Sequence, residues 1–269
     1  MKILITGGNG RMGRDIAAGL RKTGDYTVVS ISRRADEKAG IQSVDIKDAK
    51  ALTDIMAGAD VVIHMAYYLG SDEFVNQIVP NNIIGTYNIY EAARINKVKR
   101  VIFFSSNHVF GFYPREAYVS DDSEYRPDSM YGVSKCFCEA LGRYYSDRYG
   151  ISCFNIRIGN YPGDTPPKSA RSCRQWLSTR DAVSLMDCCV KADPDILYAR
   201  FPGVSANDRN LWDISGLADT INYRPADNGA EHLRPETPND ETPYKGGMFP
   251  YFGPDGKVDE DALKRGILP

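Results

Sequence analysis

The sequence predicts an α/β protein, a Rossmann-like doubly wound parallel sheet with a small C-terminal substrate lobe. Strand and helix patterns alternate through the first two thirds of the chain, which is typical of parallel sheets with right-handed crossovers. The chain opens on an apolar run that leads directly into a glycine-rich turn. Its 269 residues, 42% hydrophobic and 25% charged, can bury a sizeable core. We expect a dinucleotide-binding region over 1–160 and a substrate-binding lobe with its tail over 161–269, forming one compact unit.

The first strand is predicted over 2–6 and the first helix over 11–23, with GGNGRMG between them. These glycines fit G-x-G-x-x-G counted from Gly8, and equally the variant G-x-x-G-x-x-G counted from Gly7. Glycine lets the backbone turn tightly and approach a pyrophosphate, and the first turn of the helix offers unpaired N–H groups to phosphates. The predicted dinucleotide contacts in this segment are Gly7, Gly10, Arg11, Met12 and Gly13.

The end of the second strand, predicted over 26–31, indicates which dinucleotide is bound. NAD-selective folds usually place an acid here for the ribose 2′-hydroxyl, whereas arginine accepts a 2′-phosphate. Ser32, Arg33 and Arg34 follow the strand, so two guanidiniums and a small hydroxyl stand where the acid is usual. We therefore predict NADP, with NAD as the alternative, since Asp36 or Glu37 takes the place of the acid if the strand ends a few residues later.

The remaining elements follow the same alternation. Strands are predicted near 41–46, 61–66, 100–106, 151–158 and 197–201, and helices over 49–57, 73–96, 129–149 and 180–191, with a loop over 161–172. Pro80 marks a kink or break near the start of its helix. In a parallel sheet, ligands bind beyond the carboxyl ends of the strands. Gly7, Ser32, Ala66 and Ser106 all stand at such ends, and we expect them to converge on one cleft.

Tyr131 and Lys135, in YGVSK, are the strongest candidates for chemistry. Four residues apart on a helix, their side chains share one face and address the same small volume. A free tyrosine has a pKa near 10, and a neighbouring cation favours the phenolate, which makes the tyrosine a usable base. With Ser106 to position an alcohol and the glycine turn to hold a dinucleotide, the set predicts an oxidoreductase site.

Bulk properties exclude several other classes of function. A net charge of −2 provides no field for nucleic acid, and no apolar run is long enough to span a membrane. The first residues read as a core strand and not as a signal peptide, so a cytoplasmic protein is expected. The six cysteines lack paired C-x-x-C spacing, and with only three histidines no metal site is predicted.

Four motifs in order, TGGNGRMG, NNIIGTYN, FFSSNHVFG and YGVSK, make residues 1–160 similar to the extended short-chain dehydrogenase/reductase family. The segments SSNHVFGFYP, WLSTRDAVSL and GVSANDRNLWD extend the likeness, to about residue 230, toward uronate dehydrogenases and related monosaccharide dehydrogenases. The resemblance implies oxidation of a cyclic sugar at its anomeric carbon to a lactone, with hydride transfer to NAD(P). It also implies a homo-oligomer, because the family habitually pairs through helices beside the active site.

The resemblance assigns a role to individual residues. Ser106 would align the sugar hydroxyl, Tyr131 would remove its proton, and Lys135 would hold the nicotinamide ribose and lower the tyrosine pKa. The remaining cofactor contacts that it implies are Asp45 and Ile46 beside the adenine, Ala66 near the ribose, and Asn82 supporting the lysine or a water chain.

On the sugar side, the resemblance implies that Asn107 and His108 border the substrate and that Arg171 grips a carboxylate. Arg174, one turn further on, would form an arginine pair with Arg171 that also suits a phosphate or sulfonate. A uronate or another anionic sugar is therefore the favoured substrate. The alternatives are an NAD-dependent epimerase or dehydratase of the same family, or an NADP-sensing regulator without activity.

Overall fold

A computed structural model of the protein describes residues 1–70, 73–240, 242–253 and 257–265. The predicted substrate lobe, 161–269, includes positions 241, 254–256 and 266–269, which lie outside these ranges. No helix within the described part is long and apolar enough to cross a membrane.

Seven parallel strands form one sheet in the order β3-β2-β1-β4-β5-β6-β7. The strands are β1 Lys2–Thr6, β2 Thr27–Ser32, β3 Ile41–Ser43, β4 Val61–His64, β5 Arg100–Ser106, β6 Ser152–Ile158 and β7 Tyr198–Gly203. The predicted doubly wound parallel sheet is confirmed. The strand order reverses between β1 and β4, the position at which this architecture opens a crevice for ligands.

Helices cover both faces of the sheet. They are α1 Arg11–Thr23, α2 Ala49–Ile55, α3 Gly85–Ile95, α4 Met130–Tyr149, α5 Ala170–Arg174, α6 Thr179–Lys191, α7 Leu217–Ile221 and α8 Glu260–Arg265. Short 3₁₀ turns occur at Glu37–Ala39, Asn107–Phe110, Gly229–His232 and Phe249–Tyr251. One core cluster packs the sheet against α1 and α6, and a second packs it against α2, α3 and α4. Both faces are thereby buried, which explains why the central strands are almost uniformly apolar.

Three predicted elements differ from those observed. The third strand ends at Ser43, so Asp45 and Ile46 lie in the connection that follows it. The helix predicted over 73–96 is a π-helix, Phe74–Ile84, continued by α3; Pro80 lies inside the wide turns, where the Gly85 N–H donates to the Pro80 carbonyl oxygen. The predicted loop 161–172 gives way to α5, which begins at a reciprocal Ser169–Ser172 capping box.

The boundary at residue 160 between a dinucleotide region and a substrate lobe stays a prediction. α6 and β7 follow this boundary in the chain, yet α6 packs on α1 and β7 pairs with β6 in the main sheet. The segment after β6 contributes Gly159 and Tyr161 to a cavity at the carboxyl ends of the strands, and Phe249 from the tail packs on His108.

Candidate active site

A cavity of about 670 Å³ lies across the carboxyl ends of β1, β2, β4 and β5. The predicted site residues that line it are Gly7, Gly10, Arg11, Met12, Gly13, Ser32, Arg33, Ile46, Ala66, Ser106, Asn107, His108 and Tyr131. The tertiary structure therefore brings the glycine turn, the end of the second strand and the segment with Tyr131 together around one cavity. The convergence expected from the strand ends is observed.

The glycine turn is shaped by close backbone packing. Gly7 has a φ of +75°, and a Cβ there would lie 2.9 Å from the Ala66 nitrogen. At Gly13 a Cβ would lie 2.4 Å from the Gly7 carbonyl oxygen. α1 begins without a side-chain cap, so the N–H groups of its first turn are available at the cavity wall. These residues fit a dinucleotide pyrophosphate.

The second-strand end presents Ser32 and Arg33 to the cavity. Asp36, the alternative acid, lies beyond the strand, where its carboxylate accepts from Arg14 at 2.8 Å and from the Ala39 N–H at 3.2 Å. The Arg14 guanidinium holds the pKa of the Asp36 carboxyl below its usual range. The Asp36 carboxylate is thus already hydrogen-bonded to Arg14 and Ala39 in the turn that follows β2.

Two predicted cofactor contacts are placed differently. The Asp45 carboxylate accepts from the Lys47 N–H at 2.9 Å and is not part of the cavity lining. The Asn82 side chain accepts from the Tyr68 N–H at 2.7 Å and donates to the Tyr68 carbonyl oxygen at 3.0 Å and to Ser134 Oγ at 3.0 Å. Asn82 therefore fixes the loop after β4, because its side-chain amide pairs with both the N–H and the carbonyl oxygen of Tyr68, as a neighbouring strand would.

Lys135 is almost fully buried, and its ammonium donates to the Phe104 carbonyl oxygen at 2.7 Å. The Nζ atom also lies 4.2 Å from the centroid of the Tyr67 ring and 5.5 Å from that of Tyr131. Burial lowers the pKa of Lys135 to about 8. The ammonium is held at the end of β5, where Phe104 and Ser106 line the cavity.

The Tyr131 phenol lines the cavity and is 3% exposed. Burial raises its pKa well above the usual value, and the hydrogen bond with Ser106 acts in the opposite direction. Burial is thus the largest influence on the pKa of Tyr131. Lys135, which the resemblance expects to lower that pKa, directs its ammonium at the Phe104 carbonyl oxygen and is itself desolvated.

Asn107 and His108, which are predicted to border the sugar, lie after β5 in a 3₁₀ turn, Asn107–Phe110. Ser106 Oγ caps this turn by accepting from the His108 N–H at 3.3 Å. His108 Nδ1 lies 2.8 Å from the buried Asp128 carboxylate, and the His108 ring packs on Phe249 with centroids 3.9 Å apart. The imidazole is therefore locked in one orientation at the edge of the cavity.

The two predicted arginines have different surroundings. The Arg171 guanidinium donates to the Lys245 carbonyl oxygen at 2.7 Å and lies behind the cavity wall. Arg174 is not brought to the cavity: it pairs with Glu116 at 3.3 Å and donates to the Arg209 carbonyl oxygen, lining a separate space of about 310 Å³. The charge of Arg174 is thus paired with Glu116 outside the cavity.

Tyr67, Phe249 and Gln175 are among the residues in or beside the site that the sequence patterns did not predict. Tyr67 lies over Lys135 and beside Tyr131, with ring centroids 5.7 Å apart, and its position directly after Ala66 at a strand end could have revealed it. Phe249 comes from the tail, which carries no periodic pattern. Gln175 contacts Asn107 from the end of α5.

Comparison with known proteins identifies the family. A profile of the NAD dependent epimerase/dehydratase family matches residues 3–179. The chain belongs to this family. Among its relatives, uronate dehydrogenase from Agrobacterium fabrum is 36% identical over 259 residues, 92% of this chain and 96% of that protein. The resemblance to extended short-chain dehydrogenases, drawn from the four motifs, is confirmed.

Two further relatives in this epimerase/dehydratase family come from Haloferax volcanii. NAD-dependent glucose-6-phosphate dehydrogenase is 35% identical over 259 residues, covering 89% of this chain and 98% of that protein. L-arabinose 1-dehydrogenase (NAD(P)(+)) is 37% identical over 253 residues, covering 85% and 98%.

Among solved structures, uronate dehydrogenase from Agrobacterium tumefaciens superposes with a TM-score of 0.84 at 33% identity, covering 95% of this chain and 98% of that one. A mutant of the same enzyme, complexed with NAD, gives the same TM-score and identity. The fold and the motif order therefore agree.

Proposed function

We propose that the protein is an NADP-preferring dehydrogenase that oxidises a cyclic monosaccharide at the anomeric carbon to a lactone. The observation that carries this proposal is that Ser106 and Tyr131 line the same cavity as the glycine turn. Relatives that are named as dehydrogenases of uronates, of L-arabinose and of glucose 6-phosphate support it. The match to GDP-mannose 3,5-epimerase, by contrast, spans 55% of that protein.

The roles of the residues follow from their positions. Ser106 donates to the sugar hydroxyl oxygen, and the Tyr131 phenolate accepts the hydroxyl proton. Lys135, whose ammonium is fixed against Phe104, orients the ribose end of the cofactor and stabilises negative charge on Tyr131. The nicotinamide supplies the chemistry of hydride acceptance when it is bound. His108 and Asn107 hold the ring at the distance that this transfer requires.

The preference for NADP is supported by Ser32 and Arg33 in the cavity lining and by the engagement of Asp36 with Arg14. An arginine pairs with a 2′-phosphate, whereas a carboxylate would repel it. The Arg33 side chain is exposed and can therefore reach a phosphate at the cavity mouth.

An anionic sugar is the proposed substrate class. Gln175 separates the Arg171 guanidinium from Asn107. We propose that Arg171 is the cation that recognises a carboxylate, phosphate or sulfonate group of the substrate. Relatives named for uronates and glucose 6-phosphate support an acidic substrate.

A homodimer through α3 and α4 is also part of the proposal. Both helices expose large apolar side chains, namely Tyr87, Ile95, Val133, Phe137 and Tyr144. Such side chains are unusual on a solvated helix face and suit a symmetric helical interface. We place the protein in the cytoplasm, in keeping with its six free cysteines.

The decisive experiment is a screen of aldoses, uronates, sugar phosphates and sulfosugars with both cofactors, following the absorbance of reduced nicotinamide. We expect stoichiometric NADPH and lactone with an anionic sugar. An epimerase would convert a nucleotide sugar with no net reduction of added cofactor. If no sugar reduces either cofactor while both bind, the dehydrogenase proposal is wrong.

A further inference from the structure

Gln175 is a buried polar residue at the end of α5, 2% exposed, and it lies between Arg171 and Asn107. Its backbone is fixed, because the Gln175 carbonyl oxygen accepts from the Asn160 N–H at 2.7 Å. Its side-chain amide lies 3.1 Å from the Asn107 amide. The Asn107 amide in turn lies 3.1 Å from Ser106 Oγ. Four side chains thus form a continuous series from the Arg171 guanidinium to the Ser106 hydroxyl, which lines the cavity.

The Arg171 guanidinium determines which atoms donate and which accept along this series of hydrogen-bonded side chains. Arginine has only donors, so the Gln175 atom that faces it must be an acceptor. With the Gln175 amide oxygen toward Arg171, it accepts from Nη1 at 2.7 Å and from Nη2 at 3.3 Å. The opposite orientation would place an NH₂ group against the half-buried Arg171 guanidinium, with donors facing donors. The Gln175 NH₂ group therefore faces Asn107.

The orientation of the Gln175 amide in turn determines which atom of Asn107 faces Ser106. Asn107 must present its Oδ1 to the Gln175 NH₂ group, which turns the Asn107 Nδ2 toward Ser106 Oγ. Ser106 Oγ also accepts from the His108 N–H. A serine hydroxyl has two acceptor lone pairs and one proton, so with both lone pairs engaged its proton points away from Asn107 and His108. Tyr131 lines the same cavity and forms a side-chain hydrogen bond with Ser106, so it is available to accept this proton.

We propose that Gln175 is a positioning residue that fixes the direction of the Arg171–Gln175–Asn107–Ser106 chain, so that Ser106 is held as a donor toward Tyr131 and the sugar oxygen. This inference rests on the proposed function for its kinetic consequence. A donated hydrogen bond favours the ionised phenol, which agrees with the direction in which Ser106 moves the pKa of Tyr131. With the opposite amide orientations, Ser106 would donate its proton to Asn107 Oδ1 and could not donate it to Tyr131.

The test is Gln175→Glu, a change of one amide to a carboxylate of the same shape. Glutamate still accepts from Arg171 but cannot donate to Asn107, so the Asn107 amide turns over and Ser106 donates to it. We expect kcat to fall by about tenfold or more, the range for one hydrogen bond to a charged group, with melting temperature retained. The acidic limb of the pH profile of kcat/KM should move to higher pH.

The matched control is the same substitution in a Ser106→Ala background. The added negative charge is common to both backgrounds, whereas the relay is absent without the serine hydroxyl. We expect Gln175→Glu to change kcat by less than about twofold there. A loss of equal size in both backgrounds, or a Gln175→Glu enzyme within about twofold of wild type, would overturn the proposal.

A direct readout does not depend on turnover. Neutron diffraction from a deuterated wild-type crystal locates the deuterons on the Asn107 and Gln175 amides. Asn107 Nδ2 directed at Ser106 supports the proposal, and Oδ1 directed at Ser106 overturns it. If the wild type oxidises no sugar, the proposed function fails, yet this map still decides the direction of the chain.

Discussion

The Lys135 ammonium donates to the backbone carbonyl oxygen of Phe104 at 2.7 Å, two residues before Ser106. One hydrogen bond therefore ties the second turn of α4 to the end of β5, next to Ser106 at the cavity. The Lys135 side chain is 1% exposed, so water solvates its charge poorly. The Tyr67 ring covers the ammonium. The same burial that orients Lys135 lowers its pKa to about 8.

The first prediction concerns stability against pH for Lys135→Met, without cofactor. Folded Lys135 loses its proton near pH 8 and unfolded lysine near 10.5, so the unfolded wild type binds more protons between these values. Wild-type stability should therefore gain about 3 kcal/mol relative to the variant as pH rises from about 8 to 10.5. Urea unfolding of both proteins across this range measures it. A constant difference would mean that Lys135 is already solvated.

The second prediction is that Tyr131→Phe lowers kcat by at least about a thousandfold, because the proton acceptor is lost. Cofactor affinity should stay within about twofold, since the ring still fills its place. Tyr118→Phe is the matched control: Tyr118 is 76% exposed and lies away from the cavity. Steady-state rates and a fluorescence titration with NADPH check both. Near-normal turnover in Tyr131→Phe would reject Tyr131 as the base.

The third prediction concerns Ser32→Asp combined with Arg33→Ala. The new carboxylate can accept from a ribose 2′-hydroxyl and repels a 2′-phosphate. The ratio of kcat/KM for NADP over that for NAD should fall by at least about tenfold, a change of about 1.4 kcal/mol. Arg34→Ala serves as the control, because its side chain is exposed and outside the cavity lining. Unchanged selectivity in the double variant would show that another residue reads the 2′ position.

The fourth prediction separates anionic from neutral sugars. Arg171→Ala should raise KM for the anionic substrate by more than about tenfold, as expected for one hydrogen bond to a charged group. The KM for a neutral aldose should change by less than about twofold. Arg143→Ala removes a guanidinium that pairs with Asp147 on the outer face of α4 and controls for net charge. If both sugars are affected alike, Arg171 supports the lobe and does not recognise the anion.

The sequence predicted most of the sheet because the strands are buried on both faces and read as continuous apolar runs. The glycine turn was equally legible, since its function requires glycine in a fixed spacing after a strand. The tyrosine and lysine of YGVSK share a helix face by periodicity alone, and Tyr131 indeed lines the cavity.

Local patterns were insufficient where an element depends on its neighbours. β3 stops at Ser43 because pairing with β2 ends at Ser32. The π-helical turns around Pro80 and the short capped α5 carry little periodicity. In both cases the backbone hydrogen bonds that decide the boundary are made once the chain has packed.

The sequence by itself predicted the type of fold from the alternation of strands and helices. It also predicted the glycine turn and the candidate catalytic residues, because each of these motifs is encoded within a few consecutive residues. Only the tertiary structure decided that Arg174 turns to Glu116, that Phe249 packs on His108 and that Gln175 reaches Asn107. These contacts join segments far apart in the chain. Burial, which raises the pKa of Tyr131 and lowers that of Lys135, is likewise a property of the whole packed molecule.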